Sequence, residues 1–236
     1  MRLFKIMLVW LGLSLGSLVY AQTPPAPVAP PPPSPENILH LQISTGGEVT
    51  IELRPDKAPS HIARIKTLTR AGFYDGLLFH RVIEGFMAQT GDPTGTGSGD
   101  SPLPDLKAEF NDMPHFRGAV SMARTDNPDS ANSQFFIVFQ PTLRLDGKYT
   151  VFGRVLGGMQ YVDAIERGEP PAAPSKIVKA WLASDGKNAQ RVTLVVPPPG
   201  VAEAPAAAPT PAPVVEATPE PKKGKKAKKD KKKSKG

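Results

Sequence analysis

Residues 79–92, FHRVIEGFMAQTGD, combine one arginine and one glutamine with several large apolar side chains. The stretch holds no obvious nucleophile and no cluster of metal ligands. A few well-placed polar groups in apolar surroundings are typical of a ligand site. The stretch therefore predicts binding of an apolar group around one positive charge, that of Arg81, or else it is a piece of hydrophobic core.

The cysteine and histidine content of the chain indicates neither thiol chemistry nor a metal site. The chain has no cysteine, which excludes disulfides, thiolate catalysis and cysteine-ligated zinc. Its four histidines, His40, His61, His80 and His115, are scattered without the spacing of metal ligands. We therefore expect neither a metal ion nor a cofactor.

The composition divides the chain into one central domain and two unlike ends. Residues 37–196 form the domain, which is large enough for a hydrophobic core. Residues 22–35 hold eight prolines, residues 197–221 hold nine, and residues 222–236 hold ten lysines and one aspartate. The domain contains 17 Lys+Arg and 17 Asp+Glu, so the net charge of +7 arises in the ends and says nothing about the domain's ligand.

Residues 1–21 have the pattern of a signal peptide. Arg2 and Lys5 supply the positive start, residues 6–18 are an apolar run, and Ala21 ends the segment as the predicted cleavage site. The run is shorter than the roughly 20 residues that span a bilayer, although an uncleaved membrane anchor is the alternative. We therefore expect an exported protein, periplasmic or secreted.

The segments outside the domain are predicted to lack a core of their own. Residues 22–36 form an extended proline-rich spacer, residues 197–221 a disordered linker and residues 222–236 a disordered tail. The lysine tail is either a weak electrostatic tether to anionic surfaces or a solvated, solubilising segment. Specific binding of nucleic acid is not expected of an exported protein.

Short strands with turn signals dominate the domain. Strands are predicted at residues 39–43, 49–53, 118–123, 134–139 and 149–155, with a last strand pair at 177–182 and 191–196. Two helices are predicted, at residues 59–71 and 159–167. Many short strands with only two helices favour an antiparallel barrel or sandwich, with the helices over the open ends.

Alternation along residues 134–139 separates two neighbouring aromatic side chains. Successive strand residues point to opposite faces of a sheet, so Phe135 and Phe136 face different environments. We expect Phe79, Phe135 and Val138 to be plain core, which leaves Phe136 free to line a site.

Several separate blocks of sequence resemble the cyclophilins. The blocks are residues 79–92, residues 121–123 (SMA), residues 132–137 (NSQFFI), residues 145–148 (LDGK) and residues 151–153 (VFG). They occur in the order and spacing of that family, and the resemblance covers about residues 38–196. It implies a mainly β fold, a closed eight-stranded antiparallel barrel capped by two helices. It also implies a monomeric peptidyl-prolyl cis-trans isomerase, or rotamase, that acts on proline-containing polypeptides and assists the folding of exported proteins.

The resemblance assigns a role to each motif residue. Arg81 matches the catalytic arginine of the family. Gln89 matches the glutamine that supports this arginine and hydrogen-bonds the substrate backbone. Phe86 matches a residue in the wall of the proline pocket and completes the catalytic set. The other positions that match substrate-binding residues are Met87, Gly95, Ala123, Arg124, Thr125, Gln134, Phe136, Leu145 and Tyr149. Of these, Met87, Phe136 and Leu145 match the proline pocket. The groove for the residues before the proline is matched by Gly95, Ala123, Arg124, Thr125 and Gln134.

Three positions depart from the family pattern. Arg124 stands where asparagine is common, and Tyr149 stands where many members have histidine. Arg144 occupies the position of a tryptophan in cyclosporin-sensitive members, so tight binding of cyclosporin is not expected. The alternative to an enzyme is a non-catalytic cyclophilin-like module that binds peptides and is tethered by its basic tail.

Overall fold

The computed structural model describes residues 33–196. The predicted signal peptide, linker and lysine tail, and most of the predicted spacer, lie outside the described residues. Within residues 33–196, no helix is both long and apolar enough to cross a membrane.

Within the described part of the chain, eight strands form one sheet in which every neighbouring pair is antiparallel. The strands are β1 (Ile38–Ile43), β2 (Gly47–Leu53), β3 (Arg81–Ile83), β4 (Met87–Thr90), β5 (Ala119–Met122), β6 (Phe135–Val138), β7 (Val151–Gly157) and β8 (Ile177–Leu182). The helices are α1 (Pro59–Arg70) and α2 (Met159–Asp163), and single 3₁₀ turns span Pro35–Asn37 and Leu143–Leu145. The order across the sheet is β3-β4-β6-β5-β7-β2-β1-β8.

The sheet is curled into a half-barrel, with α1 packed against β8 and α2 against β2. Its two edge strands, β3 and β8, are connected by hydrogen bonds just before each strand begins. The amide of Phe79 donates to the carbonyl of Ser175 at 2.9 Å, and the amide of Ile177 donates to the carbonyl of Leu77 at 2.8 Å. A mainly β fold of eight antiparallel strands is thus confirmed, whereas complete closure of the barrel stays a prediction.

The predicted alternation on the first hairpin is confirmed. In β1 the residues Leu39, Leu41 and Ile43 are buried while their neighbours are half-exposed, and β2 repeats the pattern on its return. One face of each strand therefore enters the core, as expected for strands with a period of two.

The predicted strand at residues 191–196 is wrong, because these residues form no strand, and β8 has β1 as its strand partner. Arg191 turns back toward the end of α1 and donates to the carbonyl of Thr69 at 3.0 Å, and the amide of Val192 donates to the carbonyl of Arg70 at 3.1 Å. The C-terminal carbonyls of a helix lack partners within the helix, and a guanidinium satisfies them well. The predicted second helix is also too long, since α2 ends at Asp163.

The buried side chains form two hydrophobic clusters rather than one. Phe79 and Phe135 lie in the larger cluster, inside the curled sheet. Phe136 lies in a smaller cluster with Met87 and Val138. The predicted burial of Phe79, Phe135 and Val138 is confirmed, and so is the separation of Phe135 from Phe136.

Candidate active site

The smaller hydrophobic cluster is the floor of a cavity of about 310 Å³ on the outer face of the sheet. The cavity is lined by Arg81, Phe86, Met87, Gln89, Ala123, Arg124, Phe136, Arg144, Leu145 and Tyr149. Met87 and Phe136 are almost fully buried, whereas Phe86 and Leu145 are partly exposed and form walls. The cavity thus offers an apolar recess with guanidinium groups among its lining residues.

Arg81 is the first residue of β3 and pairs in register with Gln89 of β4. Its guanidinium is half-exposed, and Nε donates to Oε2 of Glu169 at 2.7 Å. Glu169 lies between α2 and β8, so the orientation of Arg81 depends on a residue 88 positions away in sequence. Among residues 33–196, the two Nη atoms of Arg81 have no hydrogen-bond partner and are free to meet a ligand.

Gln89 is held by a second glutamine rather than by Arg81. Its Nε2 donates to Oε1 of Gln134 at 2.9 Å, and Nε2 of Gln134 donates to the carbonyls of Gly97 and Gly99 at 3.2 and 2.9 Å. The expected support of Arg81 by Gln89 is therefore not seen as a direct hydrogen bond within residues 33–196. The pair of glutamines instead ties β4 and β6 to the glycine-rich loop.

The aromatic floor rests on a buried histidine. The ring of His115 stacks near that of Phe136, with centroids 6.2 Å apart, and Tyr149 meets both rings edge-on. Nδ1 of His115 lies 2.7 Å from Oδ1 of Asp146. Burial lowers the pKa of His115, against the opposing pull of the hydrogen bond to Asp146, so the ring is neutral at pH 7. A neutral ring is compatible with the apolar pocket above it.

Two further cavities flank the first and share Gln89 and Arg124 with it. One, of about 110 Å³, includes Ala123, Thr125 and Gln134. The other, of about 630 Å³, includes His80, Gly95 and Glu169. The structure therefore brings all twelve predicted site residues into one continuous groove.

The glycine-rich loop beside this groove is fixed by a buried carboxylate. Asp92 accepts hydrogen bonds from the amide and the hydroxyl of Thr94, both at 2.7 Å, and from the amide of Gly97. Burial raises the pKa of Asp92, but these hydrogen bonds outweigh it and lower the pKa to about 2. Asp92 thus holds the loop as a permanent anion at neutral pH.

Comparison with known proteins places this groove in one family. Residues 38–181 match the family model of the cyclophilin type peptidyl-prolyl cis-trans isomerase/CLD. The chain belongs to the cyclophilin-type peptidyl-prolyl cis-trans isomerases. It is therefore an isomerase that acts on peptidyl-prolyl bonds, as the resemblance implied.

The relatives of this cyclophilin include bacterial proteins. It is 48% identical over 169 residues to a probable peptidyl-prolyl cis-trans isomerase of Brucella suis, a match that covers 65% of this chain and 86% of the relative. It is 43% identical over 132 residues to peptidyl-prolyl cis-trans isomerase B of Bacillus subtilis, covering 55% and 91%.

Two solved structures share the fold. Cyclophilin AquaCyp293 of Hirschia baltica is 32% identical with a TM-score of 0.61, and the match covers 67% of this chain and 78% of that one. A Cryptosporidium parvum cyclophilin, crystallised in the presence of the dipeptide Ala-Pro, is 26% identical with a TM-score of 0.58, covering 61% and 98%.

Sequence reasoning missed one residue that contacts Arg81. Glu169 carries no motif and stands in a loop of glycine and proline, so no local pattern marks it. The one available signal is its charge, since a carboxylate beside the guanidinium of Arg81 gives a favourable pair. Potential metal ligands do not cluster: residues 33–196 contain no group of three or more that could hold an ion.

Proposed function

We propose that this cyclophilin accelerates rotation about X-Pro bonds in exported polypeptides, with Arg81 as the donor that stabilises the twisted bond. One observation carries the proposal. The free Nη atoms of a half-exposed arginine share a cavity with the apolar side chains of Phe86, Met87, Phe136 and Leu145.

The reaction needs no nucleophile and no cofactor, because no covalent bond is made or broken. Uncatalysed X-Pro isomerisation takes tens to hundreds of seconds, since resonance gives the C–N bond a barrier of about 18–20 kcal/mol. An acceleration of about 10⁵ requires the barrier to fall by about 7 kcal/mol. The enzyme has only to bind the twisted bond more tightly than the planar one.

Arg81 is suited to that preference. As the bond twists, the lone pair of the prolyl nitrogen localises and becomes an acceptor that the planar amide lacks. A guanidinium N–H directed at this nitrogen therefore gains most of its strength in the transition state. Glu169 occupies Nε, and Arg81 lines the cavity, so its remaining N–H groups are available to this nitrogen.

The apolar cavity supplies the second part of the mechanism. Met87 and Phe136 form a floor that fits the pyrrolidine ring, and a twisted amide is less polar than a planar one, so it loses less on leaving water. The pocket holds the pyrrolidine ring still while the carbonyl group of the preceding residue rotates about the C–N bond. Gln89, fixed by Gln134, is placed to bind substrate backbone.

The groove predicts how the rest of the substrate lies. By the family pattern, the residues before the proline run along Gly95, Ala123, Arg124, Thr125 and Gln134. Proline-containing peptides are the substrate class that the fit supports, and the Cryptosporidium relative crystallised with Ala-Pro agrees with it.

Closure of the barrel, export and the tail belong to the same proposal. The hydrogen bonds from Phe79 to Ser175 and from Ile177 to Leu77 support a closed eight-stranded barrel.

The pattern of residues 1–21 supports export. Mass spectrometry of the mature protein tests this, and we expect it to find the N-terminus at Gln22. The ten lysines of residues 222–236 support a weak tether to anionic surfaces, which co-sedimentation with anionic vesicles tests against a tailless variant.

The decisive experiment measures isomerisation directly. We expect the purified full chain to accelerate cis-trans exchange of a proline tetrapeptide by NMR, and Arg81→Ala to slow it at least tenfold with an unchanged circular dichroism spectrum. Arg54→Ala is the matched control, because Arg54 is similarly exposed, is paired with Asp56 at 2.7 Å and lines none of the three cavities. Failure of the wild type to accelerate any X-Pro exchange would instead favour a non-catalytic binding module.

A further inference from the structure

The proline cavity has three guanidinium groups among its lining residues and no carboxylate. The three belong to Arg81, Arg124 and Arg144. The three guanidinium groups differ in the protein groups that they already contact, and that difference decides which of them is open to a carboxylate of the substrate.

Two of the three arginines are engaged. Arg81 is paired with Glu169, which offsets part of its charge, and under the proposed function its remaining donors serve the prolyl nitrogen. Arg124 donates to the carbonyls of Thr125, Asp126 and Lys148 and lies 4.5 Å from the centroid of the Tyr149 ring. Its donors are largely used by the protein's own backbone.

Of these three arginines, Arg144 is the one whose side chain has no hydrogen-bond or ion-pair partner among residues 33–196. It lies in the 3₁₀ turn Leu143–Leu145, is exposed, and has its guanidinium carbon 5.0 Å from the centroid of the Phe86 ring. Stacking on an aromatic face fixes the plane of a guanidinium while leaving its five N–H donors outward. Arg144 is therefore a held but unsatisfied cation on the rim of the cavity.

The carboxylates near Arg144 along the chain and across the cavity do not neutralise it. Asp146 accepts from the ring and the amide of His115. Glu84, on the turn before Phe86, accepts from Arg167 at 2.7 Å. The guanidinium of Arg144 therefore has five N–H donors and no carboxylate partner among residues 33–196, and it can bind a carboxylate from another molecule.

The position of Arg144 in the groove indicates which residue of a bound substrate would lie beside it. The two flanking cavities, which share Gln89 and Arg124 with the proline cavity, do not include Arg144. Under the proposed function the residues before the proline follow that shared side, so the chain after the proline leaves past Arg144. We propose that Arg144 makes this isomerase selective for substrates with an acidic residue immediately after the proline. The inference rests on the proposed placement of the proline ring.

The test compares matched peptides by NMR exchange, which needs no coupling protease. The peptides are Ala-Ala-Pro-Glu-Ala and Ala-Ala-Pro-Gln-Ala, with Ala-Glu-Pro-Ala-Ala and Ala-Gln-Pro-Ala-Ala to examine the preceding position. For wild type we expect kcat/KM to be about two- to fivefold higher for Glu than for Gln after the proline, the range of an exposed ion pair. The preference should shrink between 20 and 300 mM salt, because exposed charges are screened.

Variants of the full chain assign the preference to Arg144. Arg144→Gln should abolish it, and Arg144→Glu should reverse it, so that the peptide with Gln after the proline is turned over faster than the peptide with Glu. Lys107→Gln is the control, because Lys107 is an exposed cation outside all three cavities and its removal should leave the preference intact. Every variant carries the same lysine-rich segment, so attraction of acidic peptides to that segment cancels.

Three results would overturn the inference: equal turnover of both peptides by wild type, a preference that persists in Arg144→Gln, or one confined to the residue before the proline. If wild type accelerates no X-Pro exchange at all, the proposed function fails, which is distinct from acceleration without preference.

Discussion

Nε of Arg81 and Oε2 of Glu169 are 2.7 Å apart, and this pair joins the sheet edge to the loop before β8. The single hydrogen bond from Nε holds the guanidinium, and both Nη atoms have no hydrogen-bond partner among residues 33–196. Both side chains are about half exposed, at 42% and 50%, so solvent weakens the pair without abolishing it. Glu169 is thus a positioning residue for the arginine that the proposed mechanism depends on.

Glu169→Ala should lower kcat/KM about two- to fivefold, because an exposed ion pair contributes roughly 0.2–1 kcal/mol. Glu169→Gln keeps an oxygen that can accept from Nε and should recover most of the loss. The tetrapeptide assay by NMR measures both. Glu84→Ala, which breaks the comparable pair with Arg167 outside the groove, is the control and should leave the rate unchanged. An equal loss in the Gln and Ala variants would argue against positioning through the hydrogen bond.

Gln134→Ala should raise KM more than it lowers kcat. Gln134 connects Gln89 to the carbonyls of Gly97 and Gly99. Its loss should therefore loosen Gln89 and the glycine-rich loop, which line the groove proposed for the residues before the proline. Initial rates over a range of peptide concentrations separate the two constants. Gln160→Ala, at an exposed position of α2, is the control. A fall in kcat at constant KM would place Gln134 in the rotation step instead.

The sequence predicted most of the site because the site is built from contiguous motifs on strands. Arg81, Phe86, Met87 and Gln89 lie within nine residues, and a β3–β4 hairpin turns them toward one cavity. Alternation in β6 then assigns Phe136 to the same side. Periodicity predicted the placement of Phe136, and the resemblance to the cyclophilins implied the roles of the other residues.

What the sequence did not predict depends on contacts between distant loops. Glu169 reaches Arg81 across 88 positions, and Arg191 satisfies the end of α1 where a strand was expected. Residues 191–196 have enough β-forming residues to favour a strand. β8 pairs with β1 on one edge, and its other edge is met by the backbone of Gly76 and Leu77 and by the side chains of Asp75 and Arg191. Local propensity therefore yields to that context.

Gly91→Ala should destabilise the domain strongly. Gly91 has φ = +93°, and a Cβ there would lie 2.4 Å from the carbonyl oxygen of Ser133, a backbone atom that cannot move aside easily. We expect a loss of at least about 2 kcal/mol, the cost of a left-handed alanine plus overpacking. Gly76→Ala is the matched control: φ is +82° but nothing lies within 4 Å, so about 1–2 kcal/mol of strain remains alone. Urea unfolding compares them, and equal losses would show that the close approach to Ser133 is unimportant.

Asp92 should make the stability of the domain depend on pH in the acid range. Its pKa is about 2 in the folded protein and near 3.8 in an unfolded chain. As the pH falls, the unfolded chain therefore takes up the proton first, which favours unfolding. The stabilisation is complete above about pH 4 and is lost as the pH falls toward 2. One pKa unit corresponds to about 1.4 kcal/mol, so the loss amounts to about 2 kcal/mol.

Asp92→Asn tests this linkage, because an amide keeps the size of the side chain but cannot ionise. At pH 7 the variant should be less stable than wild type by about 2 kcal/mol, and the difference should shrink as the pH approaches 2. Urea unfolding at pH 7, 4 and 2.5 measures it. Asp126→Asn, at an exposed carboxylate, should stay within about 0.5 kcal/mol of wild type. A difference for Asp92→Asn that stays constant from pH 7 to 2.5 would mean that the loop needs the shape of Asp92 rather than its charge.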